Sequence, residues 1–386
     1  MFWKYTRFQW KLTLVNRKNW FIATFLLLFF FLYFLYYGQE GPLTMYDKKK
    51  MEMQLSYNVF DYLNLERHDI PEVQEVFELY KELQSLLGMQ VWHMAGGEDP
   101  DQYIEDGLEV NRIRLEIHEL GNRGIPDHLV VPVDEILKEE ALLHYIKDND
   151  LPLTSESFLT NDYVTNAVSM MSGLLFLLIL LIGGNEILVQ DGKYRTVLKG
   201  MPIPFMQKIT SKVVVQSIAI FSFLVIGLFI GIVYLTTNVE DSAFSFPILM
   251  YHDESFVAIS TSRYLFYLFI GFAFVTVFIL LLSVLMNMFF RHAVANILIG
   301  LGFFLLPDMV RALGWETTVL HPIKFIDIHG VITGDLAVAL DNPFMNYWNA
   351  LLCLSIGCVI LIAIIFALNK FSYKRIPKNA PLEKAF

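Results

Sequence analysis

The chain has 386 residues, 55% hydrophobic and 15% aromatic, with a mean hydropathy of +0.47. Its apolar residues fall in long uncharged runs, which excludes an ordinary soluble domain, because about 20 helical residues cross a hydrocarbon core of roughly 30 Å. The formal charge of −10 is the sum of a basic part and a strongly acidic part, and that division is more informative than the total.

Residues 1–19 interleave aromatic and aliphatic side chains with Lys4, Arg7, Lys11, Arg17 and Lys18. The pattern fits a basic amphipathic helix on the cytoplasmic membrane face, and equally a positive flank for the next span. Residues 20–37 form the first predicted transmembrane helix. The run exceeds a usual signal core and ends in Tyr36-Tyr37-Gly38-Gln39-Glu40, with no small-residue cleavage site, so it reads as a retained span. Residues 38–160 differ sharply, with 26 acidic and 10 basic residues. Apolar spacing predicts helices over 46–66, 71–88, 101–120 and 132–147, broken at Pro71, Gly96-Gly97, Gly121 and Gly124-Ile125-Pro126. This segment reads as an acidic helical extracytoplasmic domain, long enough to bury a small core.

Residues 163–368 hold five further predicted spans: Tyr163–Ile182, Val213–Leu235, Tyr264–Met286, Ala293–Leu306 and Tyr347–Leu368. Backbone groups in lipid must be paired internally, so such runs become helices, and the alternating segments of a β-barrel are not seen. The expected fold is therefore all-α, a polytopic helical membrane protein with six transmembrane helices and an inserted helical extracytoplasmic domain. The fifth span is short and ends at Pro307-Asp308. The stretch 308–345, punctuated by Gly314, Pro322, Gly330, Gly334 and Pro343, reads either as re-entrant helices or as an ordinary outer loop. Residues 369–386 form a basic tail.

Lysine and arginine set the expected orientation. Segments 1–19, 185–212, 287–292 and 369–386 carry 16 of them, against 3 in the loops 236–263 and 307–346. The positive-inside rule then puts both termini in the cytoplasm of a multi-pass cell-membrane protein. On this topology the cytoplasmic side is net +13 and the outer side net −23.

The predicted spans contain no Asp, Glu, Lys or Arg. Ion-coupled carriers and voltage sensors need such groups within the membrane. A secondary carrier is therefore disfavoured, and energy for any transport is expected from outside the spans. No Walker A loop occurs: Gly183-Gly184 and Asp191-Gly192-Lys193-Tyr194 both lack the pattern that cradles phosphate. Zinc-protease and nucleophile-elbow motifs are missing too. Glu116, His118 and Glu119 read as exposed helix residues rather than a metal site. Cys353 and Cys358 read as small buried apolar residues. No enzyme activity, cofactor, metal or nucleic-acid partner is expected.

The segment 185–212, NEILVQDGKYRTVLKGMPIPFMQKITSK, is the most informative. Asp191-Gly192 can open a short helix with Asp as its cap, Val197 and Leu198 supply apolar contact, and Pro202 and Pro204 turn the chain. Such an element suits docking on a soluble partner; a basic loop held on anionic lipid is the plainer alternative.

This segment resembles the first cytoplasmic loop of type-2 ABC exporter permeases, which run acidic, Gly-Thr, Leu, Pro, basic and then Lys ten residues after the Pro. Pro202 and Lys212 have that spacing, Glu186 or Asp191 supplies the acid, and Gly192, Thr196 and Leu198 follow. Lys193, Tyr194 and Arg195 separate Gly192 from Thr196, and Lys208 stands late for the basic position. The layout of spans around an outer domain is also similar. The resemblance implies a membrane permease subunit of an ATP-driven exporter. It would pair with a second permease subunit, identical or paralogous, and with cytoplasmic ATP-binding-cassette subunits that bind the ATP. The implied coupling residues are Glu186, Asp191, Gly192, Lys193, Arg195, Thr196, Leu198, Pro202, Lys208 and Lys212. The alternative is a membrane-anchored sensor or assembly factor with a ligand-binding outer domain. The Phe- and Leu-rich spans suit an amphiphilic substrate. The acidic outer face suits cationic peptides, or is simply a solvated surface.

Overall fold

The computed structural model describes residues 2–40, 43–66, 71–96, 99–154, 158–188, 203–238, 246–290, 292–315 and 318–374. Among these, five helices are long and apolar enough to cross a membrane, and a bent pair makes a sixth. The protein is a helical multi-pass membrane protein.

Helix α1 (Phe2–Val15) leads into α2 (Arg17–Glu40), the first span. An acidic unit follows, of α3 (Met45–Glu66), α4 (Pro71–Ala95), α5 (Pro100–Glu119) and α6 (Val133–Asp148). The second span is α7 (Leu159–Met171) with α8 (Leu174–Gly184), and the third is α9 (Phe205–Asn238). A hairpin of β1 (Pro247–His252) and β2 (Ser255–Ser260) precedes α10 (Thr261–Phe289) and α11 (Ala293–Ala312). Two short helices, α12 (Ile328–Thr333) and α13 (Asp335–Ala339), then lead to α14 (Tyr347–Lys374).

Three features differ from the sequence reading. Tyr163–Ile182 is not one straight helix: it bends by 49° at Ser172-Gly173. Gly173 has φ 66° and ψ −122°, a conformation that strongly favours a residue without Cβ. Next, α11 does not stop at Leu306 but runs through Pro307 to Ala312. Proline costs a helix one backbone bond, and the helix persists for more than a turn beyond it. Finally, the 236–263 loop contains the antiparallel hairpin, with Met250 opposite Val257 and Ile248 opposite Ile259. Its tip, Asp253-Glu254, has φ 47° and 62°, the sign a two-residue turn needs to match strand twist.

Close backbone approach holds the spans together. A Cβ on Gly227 of α9 would lie 2.1 Å from the Leu26 carbonyl oxygen of α2, so only glycine permits this crossing. The Tyr163 hydroxyl donates to the Phe30 carbonyl at 2.6 Å, satisfying a polar group in apolar surroundings. Stretch 308–345 is no simple loop. Helix α12 is buried among α7, α10, α14 and β1, with Ile328, Val331 and Ile332 fully buried. Gly271 of α10 admits Ile328. His329 donates its backbone N–H to Ser172 Oγ at 3.2 Å, directly at the bend, and its Nδ1 meets the Tyr264 hydroxyl at 2.7 Å.

The acidic unit has its own core, built from Val59, Leu63, Val76, Leu83, Leu87, Val110 and Ile113. The hairpin joins it to the bundle. Lys138 of α6 lies over the Phe256 ring at 5.1 Å and reaches Asp335 of α13 at 4.0 Å. Lys48 of α3 also pairs with Asp162 of α7. Inside the unit, Lys49 and Arg114, both buried, each pair with Glu52 and Glu139. Burial opposes charge on Glu52, but Lys49 and Arg114 outweigh it and hold its carboxyl at about 2.

A carboxyl depressed on folding stabilises the fold above its unfolded value and loses that contribution as pH falls. The acidic unit should therefore lose stability as pH falls from about 4.5 toward about 2 and Glu52 protonates. Circular dichroism of the full chain against pH should show a cooperative loss in that window. In Glu52→Gln the loss should shrink, with lower stability at neutral pH. An unchanged acid transition in this variant would contradict the assignment.

Candidate functional site

The basic end of the bundle carries α1, the start of α2 and both roots of the 185–212 loop. The roots are close-packed. A Cβ on Gly184 would lie 2.6 Å from Ser283 Oγ of α10, and one on Gly183 would lie 2.8 Å from Ile220 of α9. The Gly183-Gly184 pair thus serves helix packing. Asn287 of α10 donates to the Gly184 and Ser283 carbonyls at 3.2 and 2.6 Å.

Polar contacts then tie the loop's two roots to each other and to the first helices. Lys212 of α9 is buried and donates through Nζ to the Ile187 carbonyl at 2.7 Å. The last residue of the loop is thereby fixed to its third. Lys18 of α2 donates to Asn185 Oδ1 at 2.7 Å and pairs with Glu186 at 3.4 Å. Ser211 donates to Thr6 of α1 at 3.0 Å, and Gln216 to Asn19 of α2 at 3.2 Å. Apolar packing surrounds this collar: Ile187, Ile209 and Val213 meet Leu280, Leu281 and Val284 of α10 and Leu361 and Ile365 of α14. Helix α1 buries Tyr5, Thr6 and Gln9, and Tyr5 with Phe8 packs on Ile203. It is docked on protein along this face, while Trp3 and Val15 stay exposed.

Of the sequence-named coupling residues, Glu186 and Lys212 enter the collar, and Lys208 sits half-buried in the first turn of α9, its N–H donating to the Pro204 carbonyl at 3.1 Å. Asp191, Gly192, Lys193, Arg195, Thr196, Leu198 and Pro202 lie outside the described residues, as does the basic tail from residue 375. Sequence reasoning missed Lys18, Asn185, Gln216, Ser283 and Asn287. Each lies within a few positions of a span's basic end, but only the packing of the helices brings them together.

Among the described residues no three His, Cys, Asp or Glu side chains converge on a metal position. The collar's contacts tie α1, α2, α9, α10 and α14 to the loop roots. Comparison with protein-family models, curated proteins and solved structures gives no match.

Both collar lysines serve buried acceptors. Lys212→Met leaves the buried Ile187 carbonyl without this donor, and Lys18→Met leaves the buried Asn185 Oδ1 without its donor as well as removing the pair with Glu186. Each should cost about 1–3 kcal/mol. Thermal unfolding of both variants in detergent checks this; wild-type stability in either would contradict it.

Proposed function

We propose that this chain is the permease subunit of an ATP-driven exporter, with the basic end cytoplasmic and loop 185–212 docked on a separate ATP-binding-cassette ATPase. The carrying observation is the double anchoring of that loop. Its roots are bound to each other by Lys212 and Ile187, and to α2, α9, α10 and α1 by buried contacts. A force on such a loop moves several spans together rather than bending one. Packed elements of this kind switch between discrete arrangements by hinge or shear motion.

Two further observations support the reading. The charged residues of the spans, such as Asp162, Lys212, Arg263 and Asp308, lie toward their ends, and the middles carry no Asp, Glu, Lys or Arg that would hold a coupling ion. The chain also has no phosphate-cradling loop, so hydrolysis belongs to a partner. A second permease subunit completes the pore by the family resemblance. Spans rich in Phe and Leu suit an amphiphilic cargo.

A second reading draws on the hairpin. The acidic unit is firmly joined to the bundle through Lys138, Phe256 and Asp335, as a sensor that passes a ligand signal inward would require.

Co-purification separates the two. The exporter reading predicts that the tagged chain retains an ATPase subunit. It also predicts that Gly192 or Pro202 substitutions lower transport per ATP hydrolysed at least about tenfold, a coupling loss of about 1.4 kcal/mol, with helical content unchanged. Full coupling in these variants, or retention of a kinase and no ATPase, would count against it.

A further inference from the structure

The acidic unit holds a second polar cluster, separate from the Lys49–Arg114 ion group and unused by the exporter reading. His93 lies in the last turn of α4, its imidazole almost wholly buried, and Asp106 lies opposite it on α5. His93 Nε2 and Asp106 Oδ2 are 3.5 Å apart. Both atoms are buried, and neither has a hydrogen-bond partner.

Gln90 stands one turn earlier on α4 and is fully buried. Its Nε2 donates to the Tyr103 carbonyl at 3.1 Å, while its Oε1 is buried and unpartnered. Gly107 makes room for it, since a Cβ there would lie 2.5 Å from Gln90 Nε2. The second Asp106 oxygen, Oδ1, accepts from Gln102 Nε2 at 2.8 Å. That bond orients the carboxylate and leaves Oδ2 for the histidine side. The ring of His93 is held by an edge contact with Trp92, centroids 5.0 Å apart.

Buried polar atoms are nearly always paired, and here His93 and Asp106 have only their long 3.5 Å approach while Gln90 Oε1 has nothing, so the cluster calls for an occupant. The spacing says which. Two atoms each about 2.1 Å from one ion, at the tetrahedral angle, lie about 3.4 Å apart. The His93–Asp106 separation matches that chord and is too long for a good hydrogen bond. Imidazole nitrogen with carboxylate oxygen favours zinc and its neighbours over magnesium or calcium.

We propose that His93 Nε2, Asp106 Oδ2 and Gln90 Oε1 bind a divalent transition-metal ion of the zinc class, with water completing its shell. Gln102 is a positioning residue that aims Asp106. The ion would clamp the last turn of α4 to the first half of α5.

The test uses the purified full chain, stripped with a chelator and titrated with Zn²⁺, or with Co²⁺ as a visible-absorbance probe. Wild type should bind one more ion per chain than His93→Ala or Asp106→Asn, and neither of these two variants should show wild type's cobalt band. Gln102→Ala keeps every ligand and should weaken affinity roughly 10- to 100-fold. Circular dichroism of each variant confirms that its helices remain. Equal stoichiometry in wild type and Asp106→Asn, or no ion bound by wild type, would overturn the proposal and leave the cluster to buried water.

Discussion

A polar group buried in this bundle has little but the protein itself to pair with, and that constraint shapes the rest. Hydrocarbon offers no hydrogen bonds. The middle of the bundle is accordingly Phe, Leu, Ile and Val around small-residue crossings. Gly227 lets α9 lie against the α2 backbone, and Tyr163 returns its hydroxyl proton to the Phe30 carbonyl. Charge and most side-chain hydrogen bonding are driven to the two ends, and the ends take on different work.

At the basic end the polar groups form a collar. Lys212, Lys18, Asn185, Asn287 and Ser211 connect helices that are distant in sequence. At the acidic end they form a joint. The hairpin and α12 fill the space created where the second span bends. Ser172 and His329 meet at the break itself, and Asp327 caps α12 by accepting from Gly330 N–H at 3.2 Å. Between collar and joint the predicted spans contain no Asp, Glu, Lys or Arg.

Much of this was legible from residue pattern. The apolar runs fixed the spans because their length and lack of charge have one solution in lipid. The helices of the acidic unit followed from heptad-like spacing and from breaks at proline and glycine. The misses have physical reasons. The Ser172-Gly173 bend leaves no mark in hydropathy, since both residues are small and the run stays apolar across it. Pro307 looked like a terminator, yet α11 continues past it. The 247–260 hairpin has Asp253-Glu254 at its tip instead of the Asn-Gly that announces such turns, and it borrowed its stability from α6 and α12. The collar was only half visible: Glu186 and Lys212 stood out by motif, whereas Lys18, Gln216 and Asn287 gain meaning only when their helices are brought side by side.

The central claim is that the bundle is driven from its basic end and not by an ion moving through it. The most direct measurement is the transport activity conferred by the chain in intact cells after an ionophore has collapsed ion gradients, with cellular ATP kept high. Activity that persists under the ionophore and stops when ATP is depleted is the predicted result. Activity that vanishes with the gradients while ATP remains high would contradict the account.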